Sequence, residues 1–106
     1  MTNLYLDDER ETPDGFERVY TAPECIKRLE KGDITLLSLD HDLGNFSGVG
    51  CGADVTKWLK EKVYNDPTFK MPAVFLHTQN PVGKENMKAD LRWIWNLQQE
   101  RKKQAE

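Results

Sequence analysis

The junction between the apolar run Leu36-Leu37-Ser38-Leu39 and the polar triplet Asp40-His41-Asp42 most constrains the fold of this chain. An apolar run bounded by turn residues is typical of a buried strand, here about residues 34–40. The apolar runs 3–6 and 73–76 lead in the same way into Asp7-Asp8-Glu9 and His77-Thr78-Gln79-Asn80. Ligands bind at the carboxyl ends of strands in an open α/β sheet, so these three strand ends predict a site at one sheet edge.

Helical patterns separate the predicted strands. Thr21 and Glu24 can form a capping box, Pro23 suits a first turn, and Gly32 suits the end of that helix. Amphipathic periodicity predicts further helices over about 53–64 and about 83–98. The residues expected to face inward are Ile26, Leu29, Val55, Trp58, Leu59, Val63, Met87, Leu91, Ile94 and Trp95.

Strands that alternate with helices predict a single α/β domain over residues 1–106, with a core of about 3–98 and a polar, frayed C-terminal tail. We expect a small parallel sheet with strands at about 3–6, 34–40 and 73–77 and with helices on both faces. Residues 16–20 alternate and carry charge, which suits a fourth strand at the sheet edge, and spacing leaves its orientation open. The connection 7–15 is too short for a full crossover helix.

The charge balance argues against binding to duplex nucleic acid. The chain has 15 basic and 18 acidic residues, so it lacks the basic field that neutralises phosphates. It has no apolar run near 18 residues and no signal-peptide pattern, which predicts a cytoplasmic protein without a membrane association. Cys25 and Cys51 have neither zinc spacing nor the density of a disulfide framework, and we expect two reduced thiols.

The acidic strand ends predict a cation site formed by Asp7, Asp8 and Asp40. Converging carboxylates repel one another unless a cation lies among them, and oxygen ligands without thiolates suit Mg²⁺ or Mn²⁺. The alternative is that these carboxylates cap turns and are otherwise solvated. That alternative is strongest for Glu9 and Asp42.

The two histidines, His41 and His77, are candidate proton-transfer groups. Histidine titrates near neutral pH, and two histidines at neighbouring strand ends could flank one phosphate as base and acid. The alternative is that each is a structural hydrogen-bond partner.

The glycine-rich segment Gly44–Gly52 opens into a helix and could offer backbone amides to an anion, although it is not a P-loop. The alternative is a flexible loop that acts as a lid. Thr78, Asn80 and Lys84 could hold phosphate oxygens from a second tight loop, and Lys84 could equally be an exposed lysine at a helix start.

Three motifs together resemble the cyclic-phosphate-processing receiver domains. They are Leu4-Tyr5-Leu6-Asp7-Asp8-Glu9-Arg10, Ser38-Leu39-Asp40-His41-Asp42-Leu43-Gly44 and His77-Thr78-Gln79-Asn80-Pro81-Val82-Gly83 with Asn86-Met87. The resemblance, over about residues 3–95, implies a receiver-like sheet in flavodoxin-like order with reduced helices. It implies metal binding by Asp7 and Asp8, and it places Asp40 where receivers accept phosphate and Thr78 at their Ser/Thr position. A fifth strand with its lysine is missing, so phosphorelay signalling is not expected.

The resemblance implies processing of a cyclic phosphate on a nucleotide or an RNA end. We therefore expect a divalent-cation-dependent phosphoesterase in which Asp40, His41 and His77 are catalytic and Thr78, Asn80, Lys84 and Gly44 bind substrate. The alternative hypothesis is a receiver-like module that binds a phosphorylated or cyclic nucleotide ligand or a protein partner without turnover.

Overall fold

The computed structural model describes residues 2–44 and 47–105, so Asn45 and Phe46 of the glycine-rich segment lie outside the described residues. Within the described ranges the chain forms four strands and three helices. In chain order these are β1 (Thr2–Leu6), β2 (Phe16–Val19), α1 (Ala22–Lys31), β3 (Ile34–Leu39), α2 (Gly52–Asn65), β4 (Ala73–Leu76) and α3 (Pro81–Ala105).

The four strands form one sheet in the order β2-β1-β3-β4, and every neighbouring pair is parallel. This order is the flavodoxin-like one without its fifth strand. The predicted α/β receiver-like fold is therefore confirmed. The orientation of the second strand, which spacing left open, is parallel, and β2 lies at the predicted edge.

The core lies between one face of the sheet and the helices of the described chain. Leu4 pairs with Leu37 and Leu6 with Leu39, so these four leucines lie side by side, and each is fully buried. Each contributes about 1.5–3 kcal/mol through the apolar area it buries. The helices contribute the other side of the core with Ala22, Cys25, Leu29, Val55, Leu59, Val63 and Ile94.

The expectation of helices on both faces is wrong, and the strand order explains why. The connections β2–α1–β3 and β3–α2–β4 run across the sheet in the same direction, so right-handed crossovers place both helices on the same face. Only the β1–β2 connection runs the other way, and residues 7–15 contain no helix. The opposite face has no helix over it in residues 2–44 and 47–105. We name it the open face and define it by Tyr5, Phe16, Arg18, Leu36, Ser38 and Phe75.

Helix α3 differs from its prediction at both ends and on one face. It continues to Ala105 rather than fraying after residue 98, and Arg101 donates to the carbonyl oxygens of Val63 and Tyr64 at the end of α2. Ile94 is buried, whereas Trp95, one residue or about 100° further around the helix, is 59% exposed. The inward assignment of Trp95 is therefore wrong. No helix in the described ranges is long and apolar enough to cross a bilayer.

The start of α2 is held against the end of β3 at a glycine. Gly52 N donates to the carbonyl oxygen of His41 at 2.9 Å, and a Cβ at Gly52 would lie 2.1 Å from the carbonyl oxygen of Asp40 and 2.9 Å from Met87 Sδ. Only a residue without a side chain allows this approach. The glycine thereby positions the backbone that carries Asp40 and His41.

Gly52→Ala is expected to destabilise the fold by about 1–3 kcal/mol or more, because backbone must shift to admit the methyl group. Urea unfolding followed by circular dichroism measures the loss. Gly15→Ala is the comparator, since a Cβ there meets nothing within 4 Å and only its positive φ of 84° opposes substitution. A Gly52 variant no less stable than the Gly15 variant would contradict the tight approach.

Candidate functional site

The strand ends meet as predicted. Asp7, Asp40 and His77 each lie two residues beyond the open-face residues Tyr5, Ser38 and Phe75, which are register partners across β1, β3 and β4. One ligand atom from each of Asp7, Asp40 and His77 lies within 4.8 Å of the others. Because successive side chains alternate between faces, these three side chains lie on the same side of the sheet as the open face, just beyond the carboxyl ends of the strands. We call them the strand-end cluster.

Asp7 is the most constrained member of the cluster, with a side chain only 1% exposed. Its Oδ1 accepts from the backbone N–H groups of Glu9 at 2.8 Å and Arg10 at 3.0 Å, and its Oδ2 accepts from His77 Nε2 at 2.9 Å. Burial by itself raises the pKa of Asp7, but the hydrogen bonds from Arg10, Glu9 and His77 outweigh it and lower that pKa below its usual value. Asp7 is therefore held as a buried carboxylate.

His77 has both ring nitrogens engaged. Nε2 faces Asp7, Nδ1 lies 2.8 Å from Ser38 Oγ, and the ring stacks on Tyr5 with centroids 4.6 Å apart and planes 3° apart. An ionised carboxylate only accepts, so the partner chemistry assigns the proton to Nε2 and leaves Nδ1 to accept from the Ser38 hydroxyl. In this arrangement His77 orients Asp7 and has no free nitrogen for substrate.

Asp7→Asn is expected to lower the free energy of unfolding at pH 7 by about 1–3 kcal/mol, because an amide cannot keep three accepting bonds to the same donors. The folded-state pKa of Asp7 is depressed, so its contribution is present above about pH 4 and lost as pH falls through the folded value. The difference in the free energy of unfolding between wild type and Asp7→Asn should therefore become smaller as the pH falls. Urea unfolding in a chelator from pH 7 downwards measures it.

The control for this experiment is Asp14→Asn, which changes an exposed residue in the turn before β2 and should leave the stability at pH 7 unchanged. If the difference in the free energy of unfolding between wild type and Asp7→Asn stays constant across the whole pH range, the charge of this carboxylate does not contribute to stability.

His41 is differently placed from His77. Its Nδ1 lies 2.9 Å from Asp42 Oδ1, and within the described residues its Nε2 has no hydrogen-bond partner. The ring packs on the first turn of α3, where a Cβ on Gly83 would lie 2.4 Å from its Cγ. The hydrogen bonds from His41 and then from Asn80 lower the pKa of Asp42. His41 is thus a fixed imidazole with a carboxylate on one nitrogen.

Thr78 and Asn80 build the turn between β4 and α3. Thr78 Oγ1 accepts from Asn80 N at 3.1 Å, Asn80 Oδ1 accepts from Gly83 N at 3.0 Å, and Asn80 Nδ2 donates to Asp42 at 3.2 Å. Asn80 therefore caps α3 and braces Asp42 beside His41. The Lys84 side chain has no hydrogen bond or ion pair in residues 2–44 and 47–105. Phosphate binding by these three residues stays a prediction.

A cleft of about 460 Å³ opens beside the strand-end cluster. It is lined by Asp7, Asp8, Glu9, Arg10, Asp40, Asp42, Leu43, Gly44, Gly50, Cys51 and Gln79. Four predicted site residues, Asp7, Asp8, Asp40 and Gly44, lie in this lining. The other five, His41, His77, Thr78, Asn80 and Lys84, lie outside it.

Seven lining residues were not among the predicted site residues, namely Glu9, Arg10, Asp42, Leu43, Gly50, Cys51 and Gln79. Arg10 follows the acidic run directly and Gln79 lies between Thr78 and Asn80, so the strand-end argument could have included both. Cys51, at the end of the glycine-rich segment, is partly exposed and free. Cys25 is also free but buried, and burial raises the pKa of its thiol to about 12.

The cleft is strongly acidic. Of the residues that line it, five carry carboxylates and one, Arg10, carries a guanidinium. Asp8 has no side-chain hydrogen bond or ion pair in the described residues, and Asp40 uses Oδ1 to accept from His41 N at 2.8 Å. The oxygens that remain available on Asp8 and Asp40, together with the carboxylate of Asp7, are the hard donors that Mg²⁺ and Mn²⁺ prefer.

Comparison with known families gives a match over most of the chain. The family model described as the cyclic-phosphate processing receiver domain matches residues 2–92, which includes every residue of the strand-end cluster and of the cleft lining. Searches of curated proteins and of solved structures gave no match.

Proposed function

Since the chain belongs to the cyclic-phosphate processing receiver domain family, we propose that it is a divalent-cation-dependent phosphoesterase that opens a cyclic phosphate on a nucleotide or an RNA end. The observation that supports the cation requirement is the charge of the cleft, which is lined by five carboxylates and one guanidinium. A phosphodiester anion entering this cleft meets like charge at close range, and the repulsion is removed only if a cation lies between them.

Asp8, Asp40 and Asp7 are the proposed cation ligands. When bound, Mg²⁺ or Mn²⁺ supplies charge neutralisation and polarisation of a phosphoryl oxygen. Asp7 is preorganised for this role, since its backbone and His77 hydrogen bonds hold the carboxylate in one orientation. His77 therefore becomes a positioning residue that acts through Asp7 rather than the proton donor that its strand-end location predicts.

His41 is the proposed base. Asp42 holds Nδ1, so the lone pair of Nε2 can take a proton from the attacking water. The water oxygen forms a new bond to phosphorus, one ring ester bond from phosphorus to oxygen breaks, and the released oxygen gains a proton from solvent to become a hydroxyl. Arg10, 44% exposed at the cleft, is placed to donate to a non-bridging phosphate oxygen. His41 lies beside the lining, so its proton transfer runs directly or through one water.

The test is a turnover screen with Mg²⁺ or Mn²⁺. The substrates are 2′,3′-cyclic nucleotides, 3′,5′-cyclic nucleotides, cyclic dinucleotides and RNA with a 2′,3′-cyclic phosphate end. Product is separated chromatographically, and each reaction is repeated in a chelator and with Asp40→Asn. Cation-dependent opening of one class by wild type alone is the expected result. No turnover of any substrate would overturn the proposal.

A binding module without turnover is the second candidate, and one observation favours it. Neither histidine lines the cleft, and both nitrogens of His77 are hydrogen-bonded. Sequestration of a cyclic nucleotide needs the cation and the cleft but no proton transfer. Equal cation-dependent binding by wild type and His41→Gln, measured by calorimetry without product formation, would select this candidate.

A further inference from the structure

Within the described part of the chain, the open face presents an apolar surface without a covering helix next to the strand-end cluster. Phe75 is 61% exposed on it, Leu36 is half-buried beside it, and Tyr5 is covered by Phe16, Arg18 and the ring of His77. Phe75 is thus the aromatic ring of this face that remains available for contact.

Phe75 lies directly below the cluster. It precedes His77 by two residues on the same side of β4, and its register partner Ser38 precedes Asp40 by two residues on β3. Two residues of strand span about 7 Å. A ribose joins a phosphate to a base over that kind of distance, so a nucleotide with its phosphate at the cluster can lay its base on Phe75.

The charge of the open face limits the length of such a ligand. Arg18 is its one basic residue, and its guanidinium donates to the carbonyl oxygens of Asp7 and Arg10 and to Thr12 Oγ1 while stacking 4.8 Å from the Tyr20 ring centroid. A guanidinium that already contacts these neighbours is not available to bind the phosphates of a longer strand. The face therefore offers stacking for a base without the basic groove that longer single strands use.

The size of the face also favours a small ligand. Four strands about 4.8 Å apart and about five residues long cover roughly 300 Å² in projection. A stable protein interface buries about 800 Å² on each partner. The face by itself matches one or two bases and falls short of a dimer interface.

We propose that Phe75, with Leu36 beside it, is the base-stacking platform for a mononucleotide cyclic phosphate whose phosphate lies at the strand-end cluster. The placement of the phosphate rests on the proposed function. The platform specifies the substrate class of that function: a nucleoside cyclic phosphate binds more tightly than a cyclic phosphate without a base. Nucleotides beyond the first add little to the affinity.

The test measures binding of adenosine 2′,3′-cyclic phosphate in Mg²⁺ by calorimetry and by NMR titration. Phe75→Ala is expected to weaken binding by about 5- to 150-fold, the effect of losing one base–aromatic contact. Phe75→Tyr keeps a ring and should bind like wild type. Trp95→Ala is the matched control, because Trp95 is equally exposed at 59% but lies on α3, and it should change nothing. Thermal melts check that each variant is folded.

A second probe separates this proposal from the proposed function. Glycerol 1,2-cyclic phosphate has no base, so wild type and Phe75→Ala should bind it equally. Base-dependent binding that Phe75→Ala weakens, without turnover of either probe or of any substrate in the screen, overturns the phosphoesterase and supports the platform. Turnover of adenosine 2′,3′-cyclic phosphate with the same KM in wild type and Phe75→Ala overturns the platform alone.

Two further results would overturn the platform. One is an oligonucleotide ending in a 2′,3′-cyclic phosphate that binds more than about tenfold tighter than the mononucleotide with steep salt dependence, since that indicates a tracked strand. The other is a dimer in light scattering that Phe75→Ala converts to a monomer, since that assigns the open face to a second copy of the chain.

Discussion

His41→Gln is expected to lower kcat for the cyclic-phosphate substrate by about 10²- to 10⁴-fold, the usual contribution of a general base. KM should change little, because the cation ligands and Arg10 remain in place. The physical reason is that a carboxamide side chain cannot accept the proton that the imidazole Nε2 takes from water. Initial rates across substrate concentration, at saturating Mg²⁺, separate the two constants.

His77→Gln is the matched variant for this experiment, since the chain contains two histidines. It removes hydrogen bonds to Asp7 and Ser38, so we expect weaker cation binding and lower thermal stability, with kcat recovering as Mg²⁺ is raised. The assignment of the base to His41 fails if His41→Gln retains kcat within about threefold of wild type. It also fails if the two histidine variants behave alike at saturating cation.

Asp40→Asn is expected to weaken binding of Mn²⁺ by more than about 100-fold, since loss of a direct ligand should exceed the 10–100-fold effect of losing an outer one. In the absence of metal the same variant should melt at a higher temperature than wild type, because one of five crowded charges is removed. Calorimetry with Mn²⁺ alone and melts with and without metal measure both effects without relying on activity.

Asp8→Asn should behave like Asp40→Asn, whereas Asp14→Asn, in an exposed turn outside the cleft, should match wild type in both measurements. Wild-type melting that does not rise with Mg²⁺ would contradict a cation site, because a ligand that binds only the folded state must stabilise it. Equal Mn²⁺ affinity in Asp40→Asn and Asp14→Asn would contradict the assignment of Asp40 as a ligand.

Residues at strand ends could be placed at one sheet edge from sequence because strands that alternate with helices predict a parallel sheet. Once Leu4–Leu6, Leu37–Leu39 and Val74–Leu76 are recognised as strands of one parallel sheet, Asp7, Asp40 and His77 must follow at the same edge. The same argument predicted Asp8 and Gly44, which line the cleft. Its assignment of Thr78 and Asn80 to phosphate binding stays a prediction, because a turn residue can point its side chain either into the site or back onto its own backbone.

The different hydrogen-bond partners of the two histidines required the tertiary structure. Both follow a strand, and nothing in the sequence distinguishes them. The fold places Ser38 on a neighbouring strand and Asp7 on the next one, so that His77 is hydrogen-bonded on both sides, while Gly83 of α3 leaves room for His41. These contacts join residues separated by 39 to 70 positions, and no local pattern specifies them.

The alternation of apolar runs and amphipathic helices determined by itself the α/β class, the four strands and the sheet edge at which the acidic cleft lies, because side-chain periodicity follows from backbone geometry. Only the tertiary structure decided which face those helices cover. Covering the second face depends on the direction in which each crossover runs, and the short connection 7–15 leaves Phe75 and the open face without a helix in the described part of the chain. The right-handed rule for crossovers relates strands that are distant in sequence, so it determines the face of each helix only when the strand order is known.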